Sequence, residues 1–272
     1  MSSALKQWES YRVRHGTRVD LSKFPPGATK FCDDKRSAQS ELKRLREKID
    51  TLTAVLAAEN QHSLLVILQG MDASGKDGAV KKVFTGVNPQ HCHVVSFKPP
   101  DREEQEHDYL WRVVRALPAR GELGIFNRSQ YEDVVTLEAR GEIPRSEASM
   151  RLRQIADLER TWAENGMTIR KLFLHISRAE QSRRFQSRLD KPEKHWKLEA
   201  SDFSDHKLWP RFQSIYEHLL SRTLAPHAPW YIIPADHKWY RDLAVAGIVL
   251  GALKAMKPRL PKPNLDPAVF KL

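Results

Sequence analysis

The segment Ser63–Ala79, SLLVILQGMDASGKDGA, holds a Gly-x4-Gly-Lys spacing between an apolar, β-branched run and a stretch able to continue as a helix. That order suits a phosphate cradle. A buried strand fixes the loop, glycines let backbone N–H groups close on phosphate oxygens, and a helix N-terminus adds positive potential. The expected cradle is Gly70, Ala73, Ser74, Gly75, Lys76, Asp77 and Gly78, with Lys81 further along the helix. Lys76 is placed to reach the phosphoryl group in transfer. Asp77 stands where Ser or Thr commonly offers a hydroxyl to Mg2+, and a second carboxylate, Asp72, lies inside the loop. An acid there repels phosphate unless a metal bridges the two, so Asp72 is a candidate metal ligand or anchor for metal-bound water.

Two further segments carry matching chemistry. Phe126–Asp133, FNRSQYED, follows the third apolar run and offers cations to hold dispersed negative charge and carboxylates to hold metals. Arg128 suits the first role because its planar fork grips two phosphate oxygens. Glu132 and Asp133 suit the second, and Asn127 with Arg128 and Glu132 is expected on the nucleotide side. The competing reading is a solvated turn with an internal ion pair. Arg178–Lys197, RAEQSRRFQSRLDKPEKHWK, has seven Lys or Arg against three Asp or Glu. Arg184 and Arg188 lie four apart, on one helical face, with Arg183 beside them and Lys194 beyond Pro192. A basic helix of this kind can close over phosphates and exclude water; the plain alternative is a wet helix face. Lys98, in SFKPP, is a weaker candidate for acceptor phosphate or nucleobase. His91, His93, His107, His175 and His195 lack metal-ligand spacing. Most of the tryptophans read as core anchors, Trp196 in the basic segment being a partial exception.

These residues need elements to position them. Hydrophobic patterning predicts a helix over Lys35–Ala58, with Leu42, Leu45, Ile49, Leu52 and Leu56 as its stripe, core or subunit contact. Strands are expected at Ser63–Gln69, Cys92–Phe97, Leu123–Asn127, Ile169–Ile176 and Trp230–Ile233. Helices are expected from Pro99 to about Leu117, then at Ser146–Glu164, Arg178–Leu189, His206–Leu224 and His237–Met256. Five strands alternating with helices define an α/β fold, a three-layer sandwich around a mainly parallel five-stranded sheet. Ligands in such sheets collect beyond the carboxyl ends of the strands. The division expected is an irregular arm over 1–34, a kinase-like domain over 35–256 with a lid at about 178–208, and a Pro-rich tail over 257–272.

At 272 residues and 40% apolar, with no apolar run near membrane length, the chain reads as soluble, and its polar N-terminus lacks a secretion signal, so a cytoplasmic setting is expected. Cys32 and Cys92 are too few for a disulfide framework or zinc cluster. Against 34 Asp and Glu stand 45 Lys and Arg, a net +11 that favours a polyanionic partner.

Taken together, GMDASGKDG, SFKPP, GIFNRSQYEDV, RRFQSRLDKPEKHWK and PWYIIPADHKWYRDLAV resemble the polyphosphate kinase 2 family, over about Tyr11 to Met256. The resemblance implies a P-loop kinase fold, transfer of phosphoryl groups between inorganic polyphosphate and nucleotides, and use of Mg2+ or Mn2+. It puts the family's loop Asp and Lys on Asp72 and Lys76, and its second-motif Asn, Arg and acidic pair on Asn127, Arg128, Glu132 and Asp133. Its lid arginines fall on Arg184 and Arg188, with Arg183 a contender. The short length and the FNRSQYEDV form resemble the branch that phosphorylates AMP as well as ADP. The expected catalytic set is therefore Asp72, Lys76, Arg128, Asp133, Arg184 and Arg188, with Asp72, Glu132 and Asp133 toward metal. Expected partners are inorganic polyphosphate and nucleoside mono- or diphosphates, without nucleic acid or membrane, in a homo-oligomer (dimer or tetramer). An ATP-dependent small-molecule kinase, a nucleic-acid-binding NTPase and a non-catalytic assembly protein are the rival readings.

Overall fold

The strands form at the apolar runs, four of them largely buried and the second in chain order a partly exposed edge. In the computed structural model, which describes residues 7–263, these are β1 (Ser63–Gln69), β2 (Cys92–Ser96), β3 (Leu123–Asn127), β4 (Met167–His175) and β5 (Trp230–Pro234). All pair in parallel in the order β2-β3-β1-β4-β5, with Leu64 opposite Leu123 and Thr168, and Lys171 opposite Trp230. β1 and β3 are buried throughout, as central parallel strands require. The sheet is wholly parallel.

Helices cover both faces. The first, α1 (Lys35–Glu59), is capped by the Asp34 carboxylate accepting from Ser37 N and ends on Asn60 in the left-handed region. Its stripe is buried at Leu42, Leu45, Ile49 and Leu56 and shares a core with α10 (Lys238–Met256) and α2 (Lys76–Val83). The stripe is thus core within the chain, not a subunit contact. The opposite core joins α5 (Glu132–Arg140), α6 (Arg145–Glu164) and α9 (Trp209–Arg222) through Val134, Val135, Leu152, Ile155 and Leu219. α7 (Arg178–Leu189) and α8 (Ala200–Lys207) lie at the carboxyl end of the sheet.

Three sequence expectations are corrected. The helix from Pro99 to Leu117 is two short ones, α3 (Arg102–Gln105) and α4 (Trp111–Arg115). Asp101 caps the first in a capping box, and Asp108 Oδ1 accepts from Leu110 N, giving the backbone a turn in place of a helical bond. His206–Leu224 is likewise divided between α8 and α9, with Pro210 in the first turn of α9. α5 was not expected; it runs from the FNRSQYED segment to Gly141, which takes the left-handed cap.

The arm is irregular but packed. Val13 N donates to Trp230 O and Arg12 bridges Tyr231, so residues 12–13 line the exposed edge of β5. Trp8 and Tyr11 are buried against Phe31 and Tyr240. Residues 1–6 of the arm and 264–272 of the Pro-rich tail lie outside the described residues. Among the described residues no helix is long and apolar enough to cross a membrane.

Candidate active site

The phosphate loop leaves β1 at Gly70 and enters α2 at Lys76. Gly70 has φ +148°, and a Cβ there would come 2.7 Å from Leu174 O on β4, so only glycine lets the loop press against the sheet. Gly75, at φ +99°, caps α2, and Ala73 adopts φ +59° without being glycine. Lys76 folds back into this ring: its buried Nζ donates to Gly70 O at 2.6 Å and Met71 O at 3.4 Å. Burial, then the Arg128 guanidinium, lowers its pKa, while Asp72, Glu132 and Asp77 oppose the shift. The cation is confined where a phosphoryl group would enter.

Asp77, expected in the cradle, is held by Asn127 and does not line the cleft. Asn127 Nδ2, at the end of β3, donates to Asp77 Oδ1 at 2.7 Å and to Ser96 Oγ at 3.3 Å. Burial would raise the Asp77 pKa, but the Asn127 bond and the charges of Lys76 and Arg128 hold it below its ordinary value. Asp77 thus ties the loop helix to the neighbouring strands, and Asn127 acts through it.

Arg128 follows with φ +65°, a left-handed conformation held by its surroundings. Ser129, Gln130 and Tyr131 are fully buried. Gln130 Nε2 and Tyr131 OH both donate to Glu159 Oε1, at 3.1 and 2.8 Å, and Lys171 Nζ donates to Glu159 Oε2 at 2.6 Å. This buried network fixes the turn, so that Arg128 Nη2 lies 3.4 Å from Asp72 Oδ1 and Glu132 faces the same space. Glu132 accepts from Gln69 Nε2 at 3.0 Å and Thr136 Oγ1 at 3.1 Å. For Arg128, burial works against the charge, but Glu132, Asp72 and Asp77 together raise its pKa.

Asp133 lines the cleft and is engaged by a guanidinium. Arg112 Nη2 donates to both its carboxylate oxygens, at 3.1 and 2.9 Å, and Arg112 also donates to Lys98 O at 2.8 Å. Burial nevertheless leaves the Asp133 carboxyl above its ordinary pKa. The guanidinium pairs with it at the wall of the cleft, which Asp133 lines together with Glu132 and Asp72. Lys98 sits on the rim of the cleft, as expected.

The lid arginines separate. Arg184 is buried, its guanidinium donating to backbone carbonyls behind the loop, which corrects its expected place over the phosphates. Arg188 Nη1 lies 3.3 Å from Asp202 Oδ2 and 3.4 Å from Lys197 O. Arg183 is exposed and pairs with Glu180 at 2.8 Å. Lys81 is exposed and Lys194 half-buried; neither lines the cleft. Trp196 is 79% exposed, with the Lys197 ammonium over its ring.

Loop, β3 turn and lid enclose a cleft of about 510 Å³ beyond the carboxyl ends of β1 and β3. Phe97, Phe212 and Tyr216 give it apolar walls, and Asp202 and Asp205 reach it from α8. Among the described residues no three His, Cys, Asp or Glu side chains cluster to hold a metal by themselves. Mg2+ shared with phosphates needs only one or two carboxylates. Burial, then the charge of Asp72, raises the pKa of Asp202, so these two carboxylates sense each other across the cleft. The donor set fits a divalent ion completed by substrate oxygens. Asp202, Arg112 and Arg241, which also touches the loop, were missed by sequence reasoning. They are single charges far along the chain from their partners, with no local pattern to mark them.

A parallel sheet with its glycine loop after β1, a caged lysine and a basic lid defines a phosphotransferase of the P-loop kinase type. The chain belongs to the Polyphosphate kinase 2 family, whose model matches residues 32–261. It is 44% identical over 257 residues to the AMP/ADP-polyphosphate phosphotransferase of Meiothermus ruber, covering 94% of this chain and 96% of that one. It is 39% identical over 266 residues to the ADP-polyphosphate phosphotransferase of Rhodopseudomonas palustris, covering 93% and 92%. The crystal structure of Polyphosphate Kinase 2 from Arthrobacter aurescens superposes with a TM-score of 0.92 at 36% identity, covering 96% of this chain and 93% of the other.

Proposed function

We propose that this chain is a polyphosphate-dependent nucleotide kinase that moves the terminal phosphoryl group of inorganic polyphosphate onto ADP and AMP. The observation that carries the reading is that the Gly70–Lys76 cradle opens into the cleft whose far wall holds Arg128 and Glu132. Donor and acceptor thus have distinct seats that meet at one point. The relatives named for AMP and ADP support those two acceptors.

The donor's terminal phosphate enters the cradle, and its charge is met by loop amides and Lys76. The acceptor's terminal phosphate lies in the cleft against Arg128. One of its oxygens attacks the donor's terminal phosphorus in line, and the anhydride bond to the remaining chain breaks. That acceptor oxygen is already ionised near neutral pH, so no strong general base is required. Lys76, Arg128 and Arg188 stabilise charge spread over the transferring group. Mg2+ or Mn2+, held by Asp72 with Glu132 or Asp202, would supply Lewis-acid neutralisation of the phosphate oxygens. The net +11 suits a chain carrying about one negative charge per phosphate, and binding should weaken steeply with salt.

A cytoplasmic setting, independence of nucleic acid and assembly into a dimer or tetramer belong to the same proposal. The α1 stripe no longer argues for assembly, and light scattering reads it directly. The deciding assay offers AMP, ADP, GMP and GDP separately with long-chain polyphosphate and Mg2+. We expect ATP from ADP and ADP from AMP. Transfer to none of the four, with phosphorylation only when ATP is the donor, would instead support the small-molecule kinase.

A further inference from the structure

The back of the phosphate loop is bonded to two buried guanidiniums that lie outside the cleft. From α7, Arg184 Nη1 donates to Ala73 O at 2.8 Å and Ser74 O at 2.9 Å. Its Nη2 donates to Ala235 O at 2.6 Å and Asp236 O at 2.9 Å, and its Nε to Glu180 at 2.8 Å. From the first turn of α10, Arg241 Nη1 reaches Ser74 O at 3.3 Å, while Nε and Nη2 donate to Asp242 at 2.9 and 2.6 Å. Gln181 Nε2 donates to Asp72 O at 2.8 Å.

Three successive loop carbonyls, of Asp72, Ala73 and Ser74, are therefore held by side chains of α7 and α10. In a planar trans peptide the C=O of one residue and the N–H of the next point in opposite directions. Holding those carbonyls turns the amides of Ala73, Ser74 and Gly75 away from those side chains. Ser74 N is taken by Met71 O at 3.0 Å, whereas the amides of Ala73 and Gly75 meet no acceptor among the described residues. Two amides without an acceptor in one glycine loop, with guanidiniums holding the loop carbonyls, have the make-up of an anion nest.

The same contacts explain a sequence feature. A Cβ on Gly75 would overlap Arg241 Nη1, and one on Gly78 would stand 3.2 Å from Arg241 Nη2. Gly78 is inside α2, beyond the turn, with no positive φ. Its missing side chain makes room for the guanidinium.

We propose that Arg241, together with Arg184, is a positioning residue for the donor: it orients the loop peptides and backs the nest with positive charge without touching the transferred group. The inference rests on the reading that the loop binds polyphosphate. It is tested by initial-rate kinetics of Arg241→Gln, Arg241→Lys, Gly78→Ala and the Arg241→Gln/Gly78→Ala double variant, at a temperature where each is folded by circular dichroism. For Arg241→Gln the KM for polyphosphate should rise by about tenfold or more, the size of one charge-assisted hydrogen bond, while the KM for ADP stays within about twofold. Arg241→Lys should recover part of that loss. Gly78→Ala should move the same constant in the same direction and add little in the Arg241→Gln background, since both act through one contact.

An unchanged KM for polyphosphate in Arg241→Gln, an equal rise in both KM values, or full additivity of the two substitutions would overturn it. If Arg241→Gln does not fold, Arg241→Lys and Gly78→Ala decide by the same split between the two KM values. Wild-type protein that fails to use polyphosphate at all would refute the proposed function itself. Normal wild-type kinetics with unmoved variants would refute this inference alone.

Discussion

Arg184 and Arg188 lie one turn apart on the same face of α7, yet they are held in opposite ways. Arg184 is 8% exposed and donates to four backbone carbonyls and Glu180. Arg188 makes two long contacts, at 3.3 and 3.4 Å, to partners in its own lid. The first half of α7 packs behind the loop, and the second half runs out into the lid. One cation builds the site; the other is free enough to change partners when a polyanion arrives.

Substitution separates the two roles. Arg184→Met removes a buried donor set and leaves backbone carbonyls unpaired, so chemical denaturation should show a loss of about 3–5 kcal/mol. Arg188→Met breaks one partly buried pair with Asp202 and should cost less, about 1–2 kcal/mol, the scale of a single hydrogen bond to a charged group. Its turnover should nonetheless fall by about a hundredfold, the scale of losing one charge-stabilising donor. Equal destabilisation by both substitutions would break the comparison.

A smaller effect comes from His175, behind the site at the end of β4. Burial moves its pKa from 6.5 down to about 4, against the opposing pull of Asp236. The unfolded chain then binds more protons than the folded one between those values, so stability falls as pH drops from about 6.5 toward 4. Melting temperatures of His175→Asn should fall less over that window than those of the wild type. Parallel curves would remove His175 from the account.

Much of this was legible in the sequence because it is local. Leu123–Asn127 and Arg178–Leu189 run as their patterns indicate, and the Gly-x4-Gly-Lys spacing marks the loop without any tertiary knowledge. What escaped depends on partners far along the chain. Glu132 and Asp133 are adjacent acids that point about 100° apart on α5; both line the cleft, and only the arrival of Arg112 from α4 decides which one is tied up in an ion pair. Arg184 looked like a lid residue because four-residue spacing reports a shared face, not how deeply each part of it is buried. The predicted helix from Pro99 to Leu117 failed because one aspartate side chain, Asp108, offers the backbone a competing bond. Gly78 looked like part of the phosphate motif, yet its nearest neighbour is a guanidinium from α10.

The central claim is that the caged ammonium of Lys76 meets the phosphoryl group leaving polyphosphate. Lys76→Met keeps a flexible buried side chain of nearly the same size and removes the ammonium with its two hydrogen bonds. With polyphosphate as sole donor and ADP as acceptor, its turnover should drop by about a thousandfold or more, with the circular-dichroism spectrum and melting temperature close to wild type. A folded Lys76→Met protein working within about tenfold of the wild-type rate would contradict the account.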